Sequence, residues 1–249
     1  MNRWGLVLAL VCLNAHADIQ FPSPDQARAK AALLQPKLSS YELNYVAKAA
    51  PYIPGLRATI NNLWPDMAYP ATLAAQIEKE SFWNPHAELC MPKPACSREY
   101  GFGFGQLTIT PRFNVFEEVK HLDPSLRDWK YADRFDPVKQ MTALVAKDRL
   151  HYRQCSKIMN PGISTYACAF SSYNGGYGGV LADRRLCANT KGCNPLVWFE
   201  NVEVTSLKAK TALPGYGQSF FQTNRGYVRA LVFERPRKYS IFPDFENLP

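Results

Sequence analysis

Residues 73–85 read LAAQIEKESFWNP, a short run that predicts a helix ended by a proline. Leu73 and Ile77 recur at helical spacing, so they mark the face that packs inward. Glu80 follows Ile77 by three residues and therefore lies close to the same apolar face. The closing proline predicts the helix end, because the residue before a proline is displaced from the α region.

A carboxylate on the core side of a helix end has two interpretations. Glu80 is either a structural residue paired with an arginine or a backbone donor, or a catalytic acid whose pKa is raised by desolvation. Helix geometry places Glu78 to one side of Glu80. We therefore expect Glu78 to be a solvent-facing or structural acid, and the rest of the chain has to decide the role of Glu80.

Residues 1–17 predict a secretory signal peptide that lies outside the fold. A short basic start precedes an apolar run from Trp4 to Leu13, and the small residues Ala15 and Ala17 form a cleavage site before Asp18. An uncleaved anchor is the alternative, but the run falls short of the roughly 20 apolar residues that a membrane span requires. The expectation is a periplasmic or secreted protein with no stable membrane insertion.

The charge of the chain favours anionic partners. The net charge is +8, and it becomes +7 without residues 1–17, which hold Arg3 and no acid. Such an excess favours cell-wall polymers, membrane surfaces or nucleic acid. Lysine and arginine do not cluster into a basic arm, so nucleic acid is not expected. The alternative is that the charge serves only solubility.

Six cysteines follow the signal peptide, and an even number in an exported chain predicts disulfides. We expect Cys90–Cys96 and Cys187–Cys193, because each pair flanks a short loop containing proline or glycine, and this leaves Cys155–Cys168. Other pairings are compatible with the sequence. A zinc site is the alternative, but the chain lacks C-x-x-C pairs and spaced histidines, so no metal is expected.

The chain divides into a helical lead-in over residues 18–65, a main domain over 66–233 and an extended tail over 234–249 that carries three prolines. Ser39 or Ser40 is predicted to cap a helix in the lead-in. In the main domain, Asp136-Pro137 predicts a helix start. The buried face of that helix is predicted to consist of Val138, Met141, Leu144, Val145 and Leu150.

Two glycine-rich motifs follow the Glu80 helix. Residues 101–106 read GFGFGQ, and alternate glycines permit unusual backbone angles and the close approach of a ligand. Residues 172–176 read SYNGG, where glycines end a helix and Tyr173 can present its hydroxyl to a cleft. The alternatives are a plain turn-rich hairpin for the first motif and a simple helix end for the second.

Taken in order, ESFWNP at 80–85, GFGQLT at 103–108, SYNGG at 172–176 and GYVR at 226–229 resemble the soluble lytic transglycosylase family, which is related to goose-type lysozymes. The resemblance spans the main domain. It implies a mostly α, lysozyme-like fold with a small β and loop element around the Gly-Gln motif. The chain departs from the family pattern at Gly105, where a methionine is usual, and at Tyr177, where a proline is usual.

The resemblance also implies roles for individual residues. Glu80 matches the single catalytic acid and base, and Ser81 matches a residue that contacts it. The remaining matches are to substrate-binding residues: Gln106 in the Gly-Gln segment, the pair Tyr173 and Asn174 beside the acid, and Tyr227 as a second tyrosine. The implied activity is that of a peptidoglycan lytic transglycosylase, which needs no cofactor, acts on glycan strands between MurNAc and GlcNAc and leaves anhydromuramyl ends.

The chemistry of the residues agrees with that activity. An acid that protonates a glycosidic oxygen at neutral pH needs an apolar setting, and the nearby apolar residues of these motifs are Ile77, Phe82, Phe102, Phe104 and Tyr173. A hydrolase also needs a second carboxylate. The candidates are Glu88, Glu99 and Asp183, and none belongs to a motif.

Two alternatives to the lytic transglycosylase remain. The first is a goose-type-like muramidase that adds water to the glycosidic bond. The second is a catalytically inactive, glycan-binding envelope protein, for example a component of an envelope-spanning machine. The sequence does not fix the oligomeric state.

Overall fold

The structure, a computed structural model, describes residues 38–89, 99–212 and 217–249. The described chain is mostly helical with a small sheet, as predicted. Its α-helices are α1 (Ser40–Ala49), α2 (Ile53–Leu63), α3 (Ala71–Ser81), α4 (Val115–Val119), α5 (Pro137–Cys155), α6 (Ile163–Gly175), α7 (Tyr177–Ala188) and α8 (Phe220–Arg229). The strands are β1 (Glu88–Leu89), β2 (Tyr100–Phe102) and β3 (Leu107–Ile109). Short 3-10 helices cover Pro124–Leu126, Tyr131–Asp133 and Pro236–Tyr239, and π-type turns cover Trp198–Val202 and Ala230–Glu234.

Helices α5 and α6 form the centre of the main core. Helix α5 packs against α2 and α6, and α6 packs against α7 and α8. The carboxylate of Asp136 caps α5 by accepting from the backbone N–H groups of Val138 and Lys139, so the predicted helix start is confirmed.

The buried face of α5 differs from its prediction at both ends. Met141, Leu144 and Val145 are buried, whereas Val138 in the first turn and Leu150 are exposed. The inward face continues instead to Asp148, which follows Leu144 by one helical turn. Leu150 falls outside this spacing and therefore turns away from the core.

The described part of the lead-in belongs to the main core. Ser39 caps α1 through a reciprocal capping box with Glu42, which confirms one of the two predicted cap positions. Val46 of α1 and Leu56 of α2 lie in the same apolar cluster as the buried residues of α5 and α6. The predicted signal peptide lies outside the described residues.

Helix α3 ends earlier than the proline rule predicted. Its C-cap is Phe82 with φ 54°, and Trp83 follows with φ 62°, so two consecutive residues adopt the left-handed conformation. The indole of Trp83 is buried and donates a hydrogen bond to the hydroxyl of Tyr239 at 2.7 Å. This tertiary contact accompanies the left-handed turn that ends the helix, which the proline prediction did not include.

The C-terminal segment is not the extended tail that its prolines suggested. It contains the 3-10 helix Pro236–Tyr239, and the side chains of Tyr239, Phe242 and Phe245 are buried in the main core. The solvent-facing position considered for Glu78 is also wrong, because Glu78 is 0% exposed and contacts this segment. Burial of three aromatic side chains outweighs the local preference of a proline-rich stretch for extended backbone.

The GFGFGQ motif forms a hairpin, which was the alternative considered for it, within the small β element that the resemblance implied. Strands β1, β2 and β3 are antiparallel in that order, with Phe102 opposite Leu107. Gly103 adopts φ 73°, and a Cβ there would overlap the side chain of Gln140. That side chain accepts from the Phe104 N–H at 2.8 Å and donates to the carbonyl of Pro85 at 2.9 Å. Gln140 on α5 therefore holds the hairpin turn next to the end of α3.

Two of the three predicted disulfides are confirmed. Cys155–Cys168 joins α5 to α6, and Cys187–Cys193 closes the loop after α7. Cys90–Cys96 lies outside the described residues. Over the described ranges, no helix is both long and apolar enough to cross a membrane, and no cluster of histidine, cysteine or acidic side chains has an arrangement suited to a metal ion.

Candidate active site

A cleft of about 790 Å³ lies between the end of α3, the hairpin, α6 and α8. Its lining includes five of the predicted site residues, namely Glu80, Gln106, Tyr173, Asn174 and Tyr227. Ser81 lies in a smaller adjoining pocket of about 460 Å³, which Glu80 and Gln106 also line. The fold thus brings all the predicted site residues together, and Glu80 stands where the two pockets meet.

Glu80 lies in the last turn of α3 and is half-buried at the cleft. The hydroxyl of Tyr227 donates to its Oε1 at 2.6 Å. Burial raises the pKa of Glu80 to about 7, against the opposing effects of the Tyr227 hydrogen bond and the positive charge of Lys79. Among the described residues, no ion pair is formed by Glu80. A large fraction of this carboxyl therefore holds a proton at neutral pH, which is the condition for a general acid.

Tyr173 contacts the hairpin rather than the acid. Its hydroxyl donates to the carbonyl of Gly105 at 2.7 Å, and a Cβ at Gly105 would overlap the hydroxyl. Burial raises the pKa of Tyr173 well above its usual value, and the negative charges of Glu80 and Asp148 raise it further. The resemblance placed Tyr173 beside the acid, whereas Tyr227 makes the direct hydrogen bond.

The polar groups of Gln106 and Ser81 are partly engaged within the protein. Gln106 adopts φ 47°, and its Nε2 donates to the carbonyl of Gly103 at 3.0 Å. The hydroxyl of Ser81 donates to the carbonyl of Ile77 in its own helix at 2.9 Å. Gln106 still faces the cleft, while Ser81 stabilises the end of α3 and does not hydrogen-bond to Glu80.

Asn174 is exposed at the cleft and is held by a residue that the sequence did not single out. Its Oδ1 accepts from Nδ2 of Asn224 at 3.0 Å. Asn224 is buried, and its Oδ1 accepts from the hydroxyl of Ser171 at 2.8 Å. The available signal was its position three residues before Tyr227, a spacing that puts both residues on the same side of a helix.

Asp183 is not available as a second catalytic acid. It is buried and forms ion pairs with Lys208 at 2.9 Å and Arg225 at 2.7 Å. Burial raises the pKa of Asp183, but these hydrogen-bonded cations outweigh burial and lower it overall. The carboxylate therefore stays ionised and ties the segment after α7 to α8.

The other two candidates for a second acid line the pockets that Glu80 also lines. Glu88 lines the smaller pocket and accepts hydrogen bonds from Tyr100 at 2.5 Å and Arg134 at 3.4 Å. Glu99 lines the same cleft as Glu80. Of the three acids considered, Glu99 is the one that shares the main cleft.

A further carboxyl group near Glu80 was missed by sequence reasoning. Asp148 on α5 is 0% exposed, and neither of its oxygens has a hydrogen-bond partner within the described part of the chain. Burial raises its pKa well above the usual value; the amide of Gln76 and the charge of Lys147 oppose this, and the charge of Glu80 adds to it. The signal was an acid at a core position, one turn after Leu144.

The apolar surroundings of Glu80 differ in part from the expectation. Ile77, Phe104 and Tyr173 belong to the main core cluster or pack against it. Phe82 is 49% exposed and lines the smaller pocket. Phe102 belongs to a separate cluster around Trp129, because the hairpin turns its side chain away from α3. Fewer of the predicted apolar residues than expected therefore shield Glu80 from water.

No protein-family model matches the chain, and no curated protein sequence matches it either. The geometry of the cleft is therefore the basis on which a function is assigned.

Proposed function

We propose that the chain is an exported peptidoglycan lytic transglycosylase with a lysozyme-like helical fold, in which Glu80 is the single acid and base. The observation that carries the proposal is the state of Glu80: a desolvated carboxyl with a pKa of about 7, at a cleft, hydrogen-bonded by Tyr227. Such a carboxyl holds a proton at the pH where it must give one up.

The reaction begins with the protonated carboxyl of Glu80. It gives its proton to the glycosidic oxygen between MurNAc and GlcNAc, and the bond from that oxygen to the anomeric carbon breaks. With assistance from the N-acetyl group, the C6 hydroxyl of the same MurNAc then attacks the anomeric carbon and returns its proton to Glu80. One glycosidic bond is replaced by an internal anhydro bond, no water is consumed and the carboxyl is regenerated.

Tyr227 orients the acid. Its hydroxyl donates to Oε1 of Glu80, which leaves the other oxygen free to face the glycosidic oxygen. Burial and then the charge of Glu80 raise the pKa of Tyr227 well above its usual value. Tyr227 therefore remains a hydrogen-bond donor through both halves of the reaction and stabilises the carboxylate that forms between them.

The cleft offers polar groups that suit a glycan strand. Asn174, Gln106 and Gln222 line it with amide groups that can exchange hydrogen bonds with sugar hydroxyls. Lys208 also lines the cleft, although its ammonium is paired with Asp183. The basic net charge favours approach to an anionic wall polymer.

The environment of the other acids supports a one-acid mechanism over hydrolysis. Asp148 lies near Glu80 but is completely buried, so it cannot reach a sugar or a water molecule in the cleft.

Glu99 is the observation that favours the second candidate function, a muramidase, because it lines the cleft and could activate water there.

Digestion of purified sacculi followed by mass spectrometry of the released muropeptides tests the proposal. We expect anhydromuramyl ends, and we expect the Glu99→Gln variant to release the same products at a similar rate. Reducing ends that disappear in Glu99→Gln would establish the muramidase instead. Sacculus binding without released fragments would establish an inactive glycan-binding protein. The Glu80→Gln variant, purified identically, serves as the blank.

A further inference from the structure

We propose that Asp148 is a positioning residue that works in its protonated form and, with Gln76, forms a buried neutral pair that holds Glu80 in place. The inference rests on the proposed function of Glu80. It concerns two side chains that do not touch the cleft.

The first observation is the coincidence of four unpartnered atoms. Gln76 and Asp148 are both 0% exposed. Within the described residues, both side-chain atoms of the Gln76 amide and both oxygens of Asp148 lack a hydrogen-bond partner. Buried polar groups in native proteins are almost always paired. Gln76 lies close enough to Asp148 for its amide to lower the pKa of that carboxyl as a hydrogen-bond donor, although no pair of their atoms has the distance and angle of a formed hydrogen bond. Each side chain is therefore the available partner of the other.

The second observation is that the four atoms are complementary only when Asp148 is protonated. A carboxylic acid then donates its O–H to Oε1 of Gln76 and accepts from Nε2 of Gln76, which satisfies all four atoms in one cyclic pair. An ionised Asp148 would accept from Nε2 but leave Oε1 of Gln76 facing a negative charge. Burial of an unpaired carboxylate is also strongly unfavourable.

The third observation is where the pair lies. Gln76 lies one turn before Glu80 on α3, and Asp148 projects from the middle of α5. A hydrogen-bonded pair between them fixes the rotation of α3 against α5. That rotation sets the direction in which Glu80 projects into the cleft.

The charged and titratable groups that act on Asp148 come from α3, α5, α6 and α8. Glu80 on α3, Tyr173 on α6 and Tyr227 on α8 all interact electrostatically with it. Lys147 adjoins it on α5, but the ammonium lies 5.6 Å from the ring centroid of Tyr173, and among the described residues it forms no ion pair with Asp148. A neutral Asp148 leaves Glu80 as the only anion in this group when it releases its proton.

Kinetics of three variants test this arrangement. Asp148→Leu is expected to lower kcat about tenfold or more with little change in KM, because Glu80 loses its orientation but the cleft is untouched. Asp148→Asn keeps a neutral group that can pair with Gln76. The kcat of Asp148→Asn is expected to lie within about threefold of the wild-type value, with the pH midpoint of activity unchanged. Gln76→Leu should resemble Asp148→Leu.

Two results would overturn the inference. An Asp148→Asn variant as slow as Asp148→Leu would show that the ionised carboxylate is required. A pH midpoint lowered by about one unit in Asp148→Asn would show that a charge at position 148 acts on Glu80 in the wild type. Far-ultraviolet circular dichroism identifies a variant that does not fold. If Asp148→Leu or Gln76→Leu does not fold, the kinetics of Asp148→Asn decide between the outcomes.

A measurement that does not depend on activity separates this inference from the proposed function. The carboxyl 13C shift of Asp148 is followed against pH in the intact wild-type protein. Asp148 is expected to titrate well above its ordinary value of 3.8, and a midpoint near that value would contradict the inference. Failure of the wild type to release any muropeptide would instead remove the proposed function and leave this titration unaffected.

Discussion

Two acids on the same turn of α3 face opposite regions of the molecule. Glu78 faces the C-terminal segment, where it is completely buried and contacts Arg235, Lys238 at 2.9 Å and the hydroxyl of Tyr239 at 2.6 Å. Glu80 faces the cleft, where the hydroxyl of Tyr227 donates to it at 2.6 Å. Each acid thus accepts one tyrosine hydrogen bond, but within the described residues only Glu78 also forms ion pairs.

This difference shows that burial alone does not determine the role of a carboxyl group. Glu78 forms ion pairs with Arg235 and Lys238, and these contacts anchor the C-terminal segment. Within the described residues, Glu80 is desolvated without such ion pairs, and its pKa rises to about 7. The same residue type therefore serves as a structural ion at one position and as a candidate proton donor two residues later.

The largest expected effect is on activity. Glu80→Gln removes the proton donor and should lower kcat/KM by roughly 10²- to 10⁴-fold. Glu78→Gln should leave the activity per folded molecule close to that of the wild type, because Glu78 does not line the cleft. Release of soluble muropeptides from sacculi measures both. Intact lysis by Glu80→Gln would show that the catalytic assignment is wrong.

Glu78→Gln and Glu80→Gln should change the free energy of unfolding in opposite directions at pH 8. Glu78→Gln leaves buried Lys238 and part-buried Arg235 without their anion, and should lower the free energy of unfolding by about 3 kcal/mol. The folded-state pKa of Glu80 is raised from 4.5 to about 7, so the stability contributed by its proton is present below pH 4.5 and lost as pH rises through 7. Glu80→Gln should therefore raise the free energy of unfolding by roughly 1–3 kcal/mol at pH 8 and change it little at pH 4.

Urea unfolding of both variants at the two pH values checks this prediction. The wild type measured under the same conditions is the control. A Glu80→Gln variant that is destabilised at pH 8 would indicate that the carboxylate has a stabilising partner, and the contrast between the two acids would then fail.

The smallest expected effects come from the two tyrosines. Tyr227→Phe removes the hydrogen bond that lowers the pKa of Glu80, so the pH midpoint of activity should rise while kcat falls about tenfold through loss of orientation. Tyr239→Phe removes the matching hydroxyl beside Glu78 and should cost about 1 kcal/mol of stability with unchanged activity. Activity profiles and thermal unfolding of the pair distinguish the two roles. Equal loss of activity in Tyr227→Phe and Tyr239→Phe would contradict the assignment of different roles to the two tyrosines.

The features of the fold that sequence predicted are those set by local chemistry. The Asp136 cap and the Cys187–Cys193 disulfide depend on neighbouring residues or on a short spacing, and Cys155–Cys168 was the pair that remained. Glu80 was identified for the same reason, since its place on the apolar side of α3 follows from helical periodicity.

What the sequence did not reveal depends on contacts between distant segments. The burial of Glu78 requires the C-terminal segment, whose prolines suggested an extended tail. The pairing of Tyr227 with Glu80 depends on how α8 crosses α3, so a motif match could not rank it above Tyr173. Asp148 was overlooked because the sequence does not show which side chain lies beside it. Its burial has an explanation only once Gln76, on another helix, is known to be its neighbour.

Titration of the carboxyl 13C shift of Glu80 in the intact protein tests the central claim most directly. Glu80, which forms no ion pair within the described residues, should hold its proton to near neutral pH. We predict a midpoint of about 7 for Glu80. A midpoint near the ordinary 4.5 for Glu80 would contradict the claim, because the carboxyl could not then act as a general acid at neutral pH.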